Sequence, residues 1–211
     1  LTLIFRKKSD KAKRILFYVL GSILLFFEIL SRVVNLIVTD DYSLVNIFKI
    51  LAPMHICSVM VWVFIVAAFT RNKTLINYSV IGGILATTAF LLYPAVGLNK
   101  VYMSFTCLYS TISHSIGFIT AICLMTLGIA KFEFKDIWKI YICFAVMFLW
   151  GVLLDFVILP GSDYMYLVND PLELKINFPY QILYAAILIV YVAAYYFVSW
   201  LVKKIKSKKN T

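Results

Sequence analysis

Residues 15–38 read ILFYVLGSILLFFEILSRVVNLIV. That is enough apolar chain to cross a hydrocarbon core of about 30 Å as a helix, which takes about 20 residues, although Glu28 and Arg32 sit within it. Five more apolar blocks follow between short polar breaks, at Leu51–Thr70, Leu75–Pro94, Val101–Ala130, Ile137–Leu159 and Phe178–Val202. With the first at Ile15–Val38 they are called spans A to F. Strand-like alternation is absent, which argues against a β-barrel. The pattern predicts an all-α fold, a polytopic transmembrane bundle of about six spans in a single domain over residues 1–211. Composition agrees: 63% of residues are hydrophobic and 14% charged, whereas soluble domains are near half apolar and a quarter charged.

The net charge of +10 raises the question of nucleic acid, and its distribution answers it. Arg6, Lys7, Lys8, Lys11, Lys13 and Arg14 precede span A, and Arg71 and Lys73 join B to C. Lys131, Lys135 and Lys139 border D and E, and Lys203, Lys204, Lys206, Lys208 and Lys209 follow F. If the helices alternate, all of these lie on one face, which the positive-inside rule makes cytoplasmic, with both termini on that side. The other face carries only Lys49, Lys100 and Lys175 beside Asp40, Asp41, Asp163, Asp170 and Glu173. The basic excess is a topology signal and a contact for anionic lipid rather than a nucleic-acid footprint. The chain begins at Leu1 on a basic stretch resembling a cytoplasmic loop, so one more N-terminal span is expected before it. That stretch leads into span A without a small-residue cleavage site, so it does not read as a signal peptide.

Ionisable groups inside a bilayer are costly and point to function. Here they are Glu28 and Arg32 on A, His55 on B, His114 on D and Asp155 on E, and the alternating topology brings them to the outer half of the membrane. Glu28 and Arg32, four apart, can pair on one helix face, either to lock span A to its neighbours or to position a substrate. Asp155 has three roles open to it: anchoring a histidine, pairing with Arg32, or reaching headgroup water. Just outside span E, Asp163, Tyr164 and Tyr166 either cap the site or belong to an interfacial aromatic belt.

Residues 52–58, Ala-Pro-Met-His-Ile-Cys-Ser, open span B. Proline favours a first helical position, which puts Cys57 about one turn inside a helix N-terminus, where free N–H groups and the helix dipole stabilise a thiolate. His55, two residues away on the same helix, would point about 200° from it. His114 is the better base, on a face shared by Cys107, Thr111 and Phe118. The working set is Cys57 as nucleophile, His114 as base and His55 as the group that orients or polarises the substrate. The competing reading is a zinc site of His55, Cys57, His114 and Asp155, since zinc accepts all of these ligands. It ranks below thiol chemistry, so no metal and no cofactor are expected. Cys107, Cys123 and Cys143 lie within spans without a C-x-x-C pair and read as small packing residues.

Several segments together resemble a family of small bacterial multi-pass membrane proteins related to the animal transmembrane protein 164, also called YwaF-like. They are Pro53-Met54-His55-Ile56-Cys57 opening a helix, Ile112-Ser113-His114-Ser115-Ile116 within a later one, and Gly161-Ser162-Asp163-Tyr164-Met165-Tyr166-Leu167 after the next. Pro171 and the Phe178-Pro179-Tyr180 entry to the last span also fit. Two positions depart from the pattern, Ala52 where leucine is usual and Asp163 where asparagine is expected. The resemblance implies a bacterial plasma-membrane protein and a cysteine-centred acyltransferase that moves fatty acyl chains between phospholipids, or an acyl hydrolase where water takes the acyl group. Cys57 would carry the thioester and His114 would act as acid and base. Membrane lipids, with a phospholipid or lysophospholipid substrate, are the expected partners. Two other classes stay open: a small-solute transporter or substrate-binding component, and a non-catalytic assembly or immunity protein.

Overall fold

The computed structural model describes residues 1–92, 105–169 and 179–209. Among them all regular structure is helical: α1 Thr2–Phe5, α2 Asp10–Val38, α3 Leu44–Leu51, α4 Ile56–Thr70, α5 Lys73–Leu92, α6 Phe105–Thr126, α7 Ile137–Val152 and α8 Tyr180–Lys209. A π-helical segment, Leu153–Ile158, continues α7. Four helices, α2, α6, α7 and α8, are long and apolar enough to cross a membrane, and α3 with α4, bent by 58°, makes a fifth if taken as one span. The expected count of six is therefore met only roughly. The sixth, span C, corresponds to α5, whose continuation past Leu92 lies outside the described residues. So do the start of span D at Val101 and the expected outer-face or motif residues Lys100, Asp170, Pro171, Glu173, Lys175 and Phe178.

The main correction concerns span B. A single helix from Leu51 with Pro53 at its first position is not what forms. Ser43 caps a separate helix, α3, by accepting the Asn46 amide at 3.2 Å. This helix stops at Leu51, and Ala52 is extended at φ −80° and ψ 150°. The cause is Pro53, whose ring disfavours helical geometry in the residue before it and which has no N–H to extend the hydrogen-bond ladder. The new helix begins three residues later.

Two compact units divide the chain, Leu1–Lys131 and Phe132–Thr211. In the first, α2 packs on α4 and α6, and α5 packs on α4 and α6. Gly21 meets Ala68 so closely that an added Cβ would collide with the Ala68 methyl, and Gly83 likewise accommodates the Phe64 ring. Small residues at these crossings let helices approach in a setting where hydrophobic burial no longer drives association. A Cβ at Gly117 would sit 3.3 Å from Thr87 and 3.6 Å from Phe64, so Phe64 of α4 is wedged between α5 and α6.

The turn from α4 to α5 is tight. Arg71 takes a left-handed conformation at φ 56°, and the Asn72 side chain accepts the Thr74 and Leu75 amides at 2.9 and 3.2 Å. At the same end Arg71 lies over Tyr18, 4.9 Å from the ring, and Asn77 exchanges two hydrogen bonds with the Lys131 backbone. The basic residues of this unit that enter these contacts thus gather at the end where α2 begins.

In the second unit Tyr141 donates to the Ile189 carbonyl at 3.0 Å, joining α7 to α8. Lys203 donates to the Phe132 carbonyl at 2.9 Å, and Phe132 meets the buried Tyr196 ring edge-on. Leu149, Val157 and Val190 are 63, 65 and 67% exposed, the pattern of helices whose outer faces meet lipid rather than water.

Candidate functional site at the broken helix

Glu28 is fully buried in α2, and its carboxylate meets the Arg32 guanidinium one turn on, with Oε1 and Nη2 2.5 Å apart. This is a charge contact; the two groups are not aligned for a hydrogen bond. The other Glu28 oxygen accepts the Tyr109 hydroxyl of α6. Arg32 Nη1 donates to the Ile50 carbonyl at 3.2 Å, one of the carbonyls a helix leaves unpaired at its C-terminus. Its guanidinium also lies 5.7 Å from the Trp62 ring centre on α4. The expected ion pair forms, and it joins α2 to the last turn of α3, to α4 and to α6. Tyr109 was not among the residues singled out from the sequence. The available signal was a hydroxyl within a span, which must find a partner when buried.

Beside this network, α4 starts at Ile56 with the exposed His55 as its N-cap residue. The His55 carbonyl accepts the Val59 amide at 3.0 Å, and its side chain makes no capping bond. The 200° argument therefore does not apply, because His55 lies outside the helix. Cys57 is the second helical residue rather than one turn in, so its own amide is among those without an intrahelical acceptor. It is half-buried and forms no disulfide.

His114 is 6% exposed. Its Nδ1 sits 2.6 Å from the Ser110 carbonyl one turn back, and a carbonyl only accepts, so Nδ1 carries the hydrogen. That leaves Nε2 with the lone pair, and among the described residues it has no hydrogen-bond partner. The Phe90 ring stacks on the imidazole with centroids 3.9 Å apart.

The register of the helices relates these groups. Both Gly21 with Ala68 and Arg32 with Trp62 approach across α2 and α4, so the two helices are antiparallel. Thr87 with Gly117 and Phe90 with His114 show the same for α5 and α6. Since α4 reverses into α5, α4 and α6 run parallel. Cys57 is eleven residues before Ala68 and Arg32 eleven after Gly21, so both lie about 16 Å along the bundle from that contact, at one level. Cys57 precedes Phe64 by two turns on the same face of α4, and His114 precedes Gly117 by one turn on α6. Phe64 approaches Gly117, so α4 and α6 meet at that point, on the helices that carry Cys57 and His114. Cys57 makes no hydrogen bond to His114 Nε2.

Asp155, Asp163 and Tyr164 lie in the second unit and form a network of their own. Asp155, in the π-helical segment and 2% exposed, accepts Ser162 Oγ at 2.8 Å and the Tyr164 and Met165 amides at 3.1 and 3.4 Å. Asp163 accepts the Leu167, Val168 and Asn169 amides and the Asn169 side chain, all within 3.0 Å. Burial pushes the Asp163 carboxyl up, but the amide hydrogen bonds from Val168, Asn169 and Leu167 outweigh it and hold the group below the usual carboxylate range. The two aspartates fold residues 162–169 back toward Gly151, where Met165 packs. Among the described residues no three of His, Cys, Asp and Glu come together as metal ligands.

Apolar helices with exposed hydrocarbon faces, a buried ion pair and one broken span define a polytopic α-helical membrane protein. A family model described as the TMEM164 family matches residues 1–201, and the chain belongs to that family. The YwaF-like label is not carried by that match. No curated protein and no solved structure matches the chain.

Proposed function

We propose that this chain is a thiol-dependent lipid acyltransferase, with Cys57 as nucleophile and His114 as general acid and base. The observation that carries the reading is His114. Its Nδ1–H is committed to the Ser110 carbonyl and its Nε2 lone pair is unpartnered among the described residues, on a helix that packs against α4. A histidine fixed in this tautomer is ready to take a proton.

The chemistry follows from the two groups. Nε2 takes the Cys57 thiol proton and the thiolate attacks the carbonyl carbon of a lipid ester. The C–O bond of the tetrahedral intermediate breaks, the alkoxide leaves with the proton from Nε2, and the acyl group remains as a thioester. A lysophospholipid hydroxyl, or water in a hydrolytic side reaction, gives its proton to Nε2 and attacks the thioester, restoring the thiol. Free amides in the first turn of α4 would stabilise the oxyanion. His55, the exposed N-cap residue, would orient the ester at the mouth of the break.

The setting proposed is a bacterial plasma membrane with both ends cytoplasmic, supported by the basic residues gathered at the start of α2. One observation favours a transporter instead: broken spans are a recurrent way for transporters to bind solutes. The discriminating experiment reconstitutes purified protein with a phospholipid carrying a labelled acyl chain and a lysophospholipid acceptor. Acyl transfer lost in Cys57→Ser with helicity retained supports the enzyme. An assay with no transfer by the wild type, and solute uptake indifferent to Cys57→Ser, overturns it in favour of transport.

A further inference from the structure

Arg32 and Trp62 carry N–H groups that the network described above leaves unused. Of the guanidinium, Nη1 donates to the Ile50 carbonyl, while Nη2 meets the Glu28 carboxylate as a charge contact alone. Arg32 Nε and Trp62 Nε1 are both buried, and among the described residues neither has an acceptor. Both atoms can only donate. The guanidinium carbon is 5.7 Å from the Trp62 ring centre, so the two side chains that carry these N–H groups lie against each other across α2 and α4. Arg32 also shares its level along the bundle with Cys57.

The charge of the site selects the ligand. Glu28, fully buried, already neutralises Arg32. A phosphate or carboxylate brought here would leave net negative charge beside Glu28 in a medium of low dielectric, which is unfavourable. An uncharged oxygen with two lone pairs adds no charge and satisfies both donors.

We propose that Arg32 Nε–H and Trp62 Nε1–H bind the carbonyl oxygen of a lipid ester. The site deepens the acyl-transfer reading by naming the side chains that hold the donor ester, and only the fate of that ester rests on the reading. Trp62 is then a substrate-binding residue.

The test is an indole ¹⁵N–H spectrum of the full chain in dodecyl maltoside, a detergent without a carbonyl. Trp62 is assigned with Trp62→Phe, and Trp138, Trp150 and Trp200 serve as internal controls. Three probes are titrated: diacyl phosphatidylcholine, the dialkyl ether lipid with the same headgroup but no carbonyl, and inorganic phosphate. The expected result is a saturable downfield shift of the Trp62 indole with the diacyl lipid alone, unchanged in Cys57→Ser. Arg32→Lys, which keeps the charge opposite Glu28 but loses the Nε donor, should weaken that titration about ten-fold, as expected for one charge-assisted hydrogen bond. An equal shift with the ether lipid or with phosphate would overturn the proposal in favour of headgroup or anion binding. No Trp62 shift with any probe would overturn it outright. Because Cys57→Ser is silent in this measurement, absence of acyl transfer and absence of carbonyl binding are separately visible.

Discussion

Glu28 and Arg32 are the residues whose partners matter most to stability, because Glu28 is fully buried and Arg32 largely so. Removing one member of a buried pair leaves the other uncompensated, at a cost of about 3–5 kcal/mol, whereas replacing both by apolar groups of similar size is often near neutral. Glu28→Leu is therefore expected to lower the thermal unfolding midpoint sharply, and Glu28→Leu with Arg32→Met to recover most of it, as read by loss of helicity on heating in detergent. Equal loss in the single and double variants would mean that Arg32 acts mainly through the Ile50 carbonyl and Trp62. The pair was legible from its four-residue spacing. Tyr109 was not, because it leaves α6 on another side from the face shared by His114, Thr111 and Cys107. Trp62 was equally hidden, since an indole in an apolar run looks like packing until its N–H is seen without an acceptor.

Local sequence signals located the helical elements but not the break at Pro53, which follows from a conflict between two rules. Proline is welcome at a first helical position, yet it also expels the preceding residue from helical geometry, and here the second effect decides, with α3 ending at Leu51 and Ala52 extended. Its start was signalled by Ser43 before an apolar run. Pro53→Ala should let helix extend through the break and engage amides near Cys57. Cys57 is then expected to react several-fold more slowly with iodoacetamide, with little change in thermal stability; an unchanged rate would detach thiol reactivity from the helix terminus. The loop after α7 obeys a different control. Asp163 has its pKa lowered on folding, so its contribution is fully present above the ordinary carboxylate range near pH 4 and is lost as pH falls through the lower folded value. Hydrogen exchange at the 167–169 amides should accordingly stay equally protected from pH 7 to pH 5 once the intrinsic pH dependence is removed, and Asp163→Ala should abolish that protection. Loss of protection already at pH 5 would contradict the assigned hydrogen bonds.

At the scale of the molecule, membrane character was the easiest property to read, because blocks of about 20 apolar residues leave a chain no stable aqueous alternative. Span ends were harder. Helix α2 begins at Asp10 and α8 runs to Lys209, well into basic segments that the sequence reading left outside spans A and F, since lysine and arginine extend a helix into the headgroup region readily. Gly128, at φ 72°, ends α6 early enough that the Ile129 and Ala130 amides both turn back to the Leu124 carbonyl, shortening the long helix expected from Val101 to Ala130. Cys57 and His114 lie on different helices, so no spacing rule relates them, and the proposed acyl transfer requires the first turn of α4 and the Nε2 of His114 to meet at one substrate. Its most direct test is to incubate the purified protein with a phospholipid carrying a labelled acyl chain, quench in acid, and map any acyl adduct by mass spectrometry. The account predicts a hydroxylamine-sensitive thioester on Cys57 in the wild type, absent in Cys57→Ser and reduced at least ten-fold in His114→Ala. Adducts spread evenly over Cys57, Cys107, Cys123 and Cys143, or none on Cys57 while the lipid is nonetheless turned over, would contradict it.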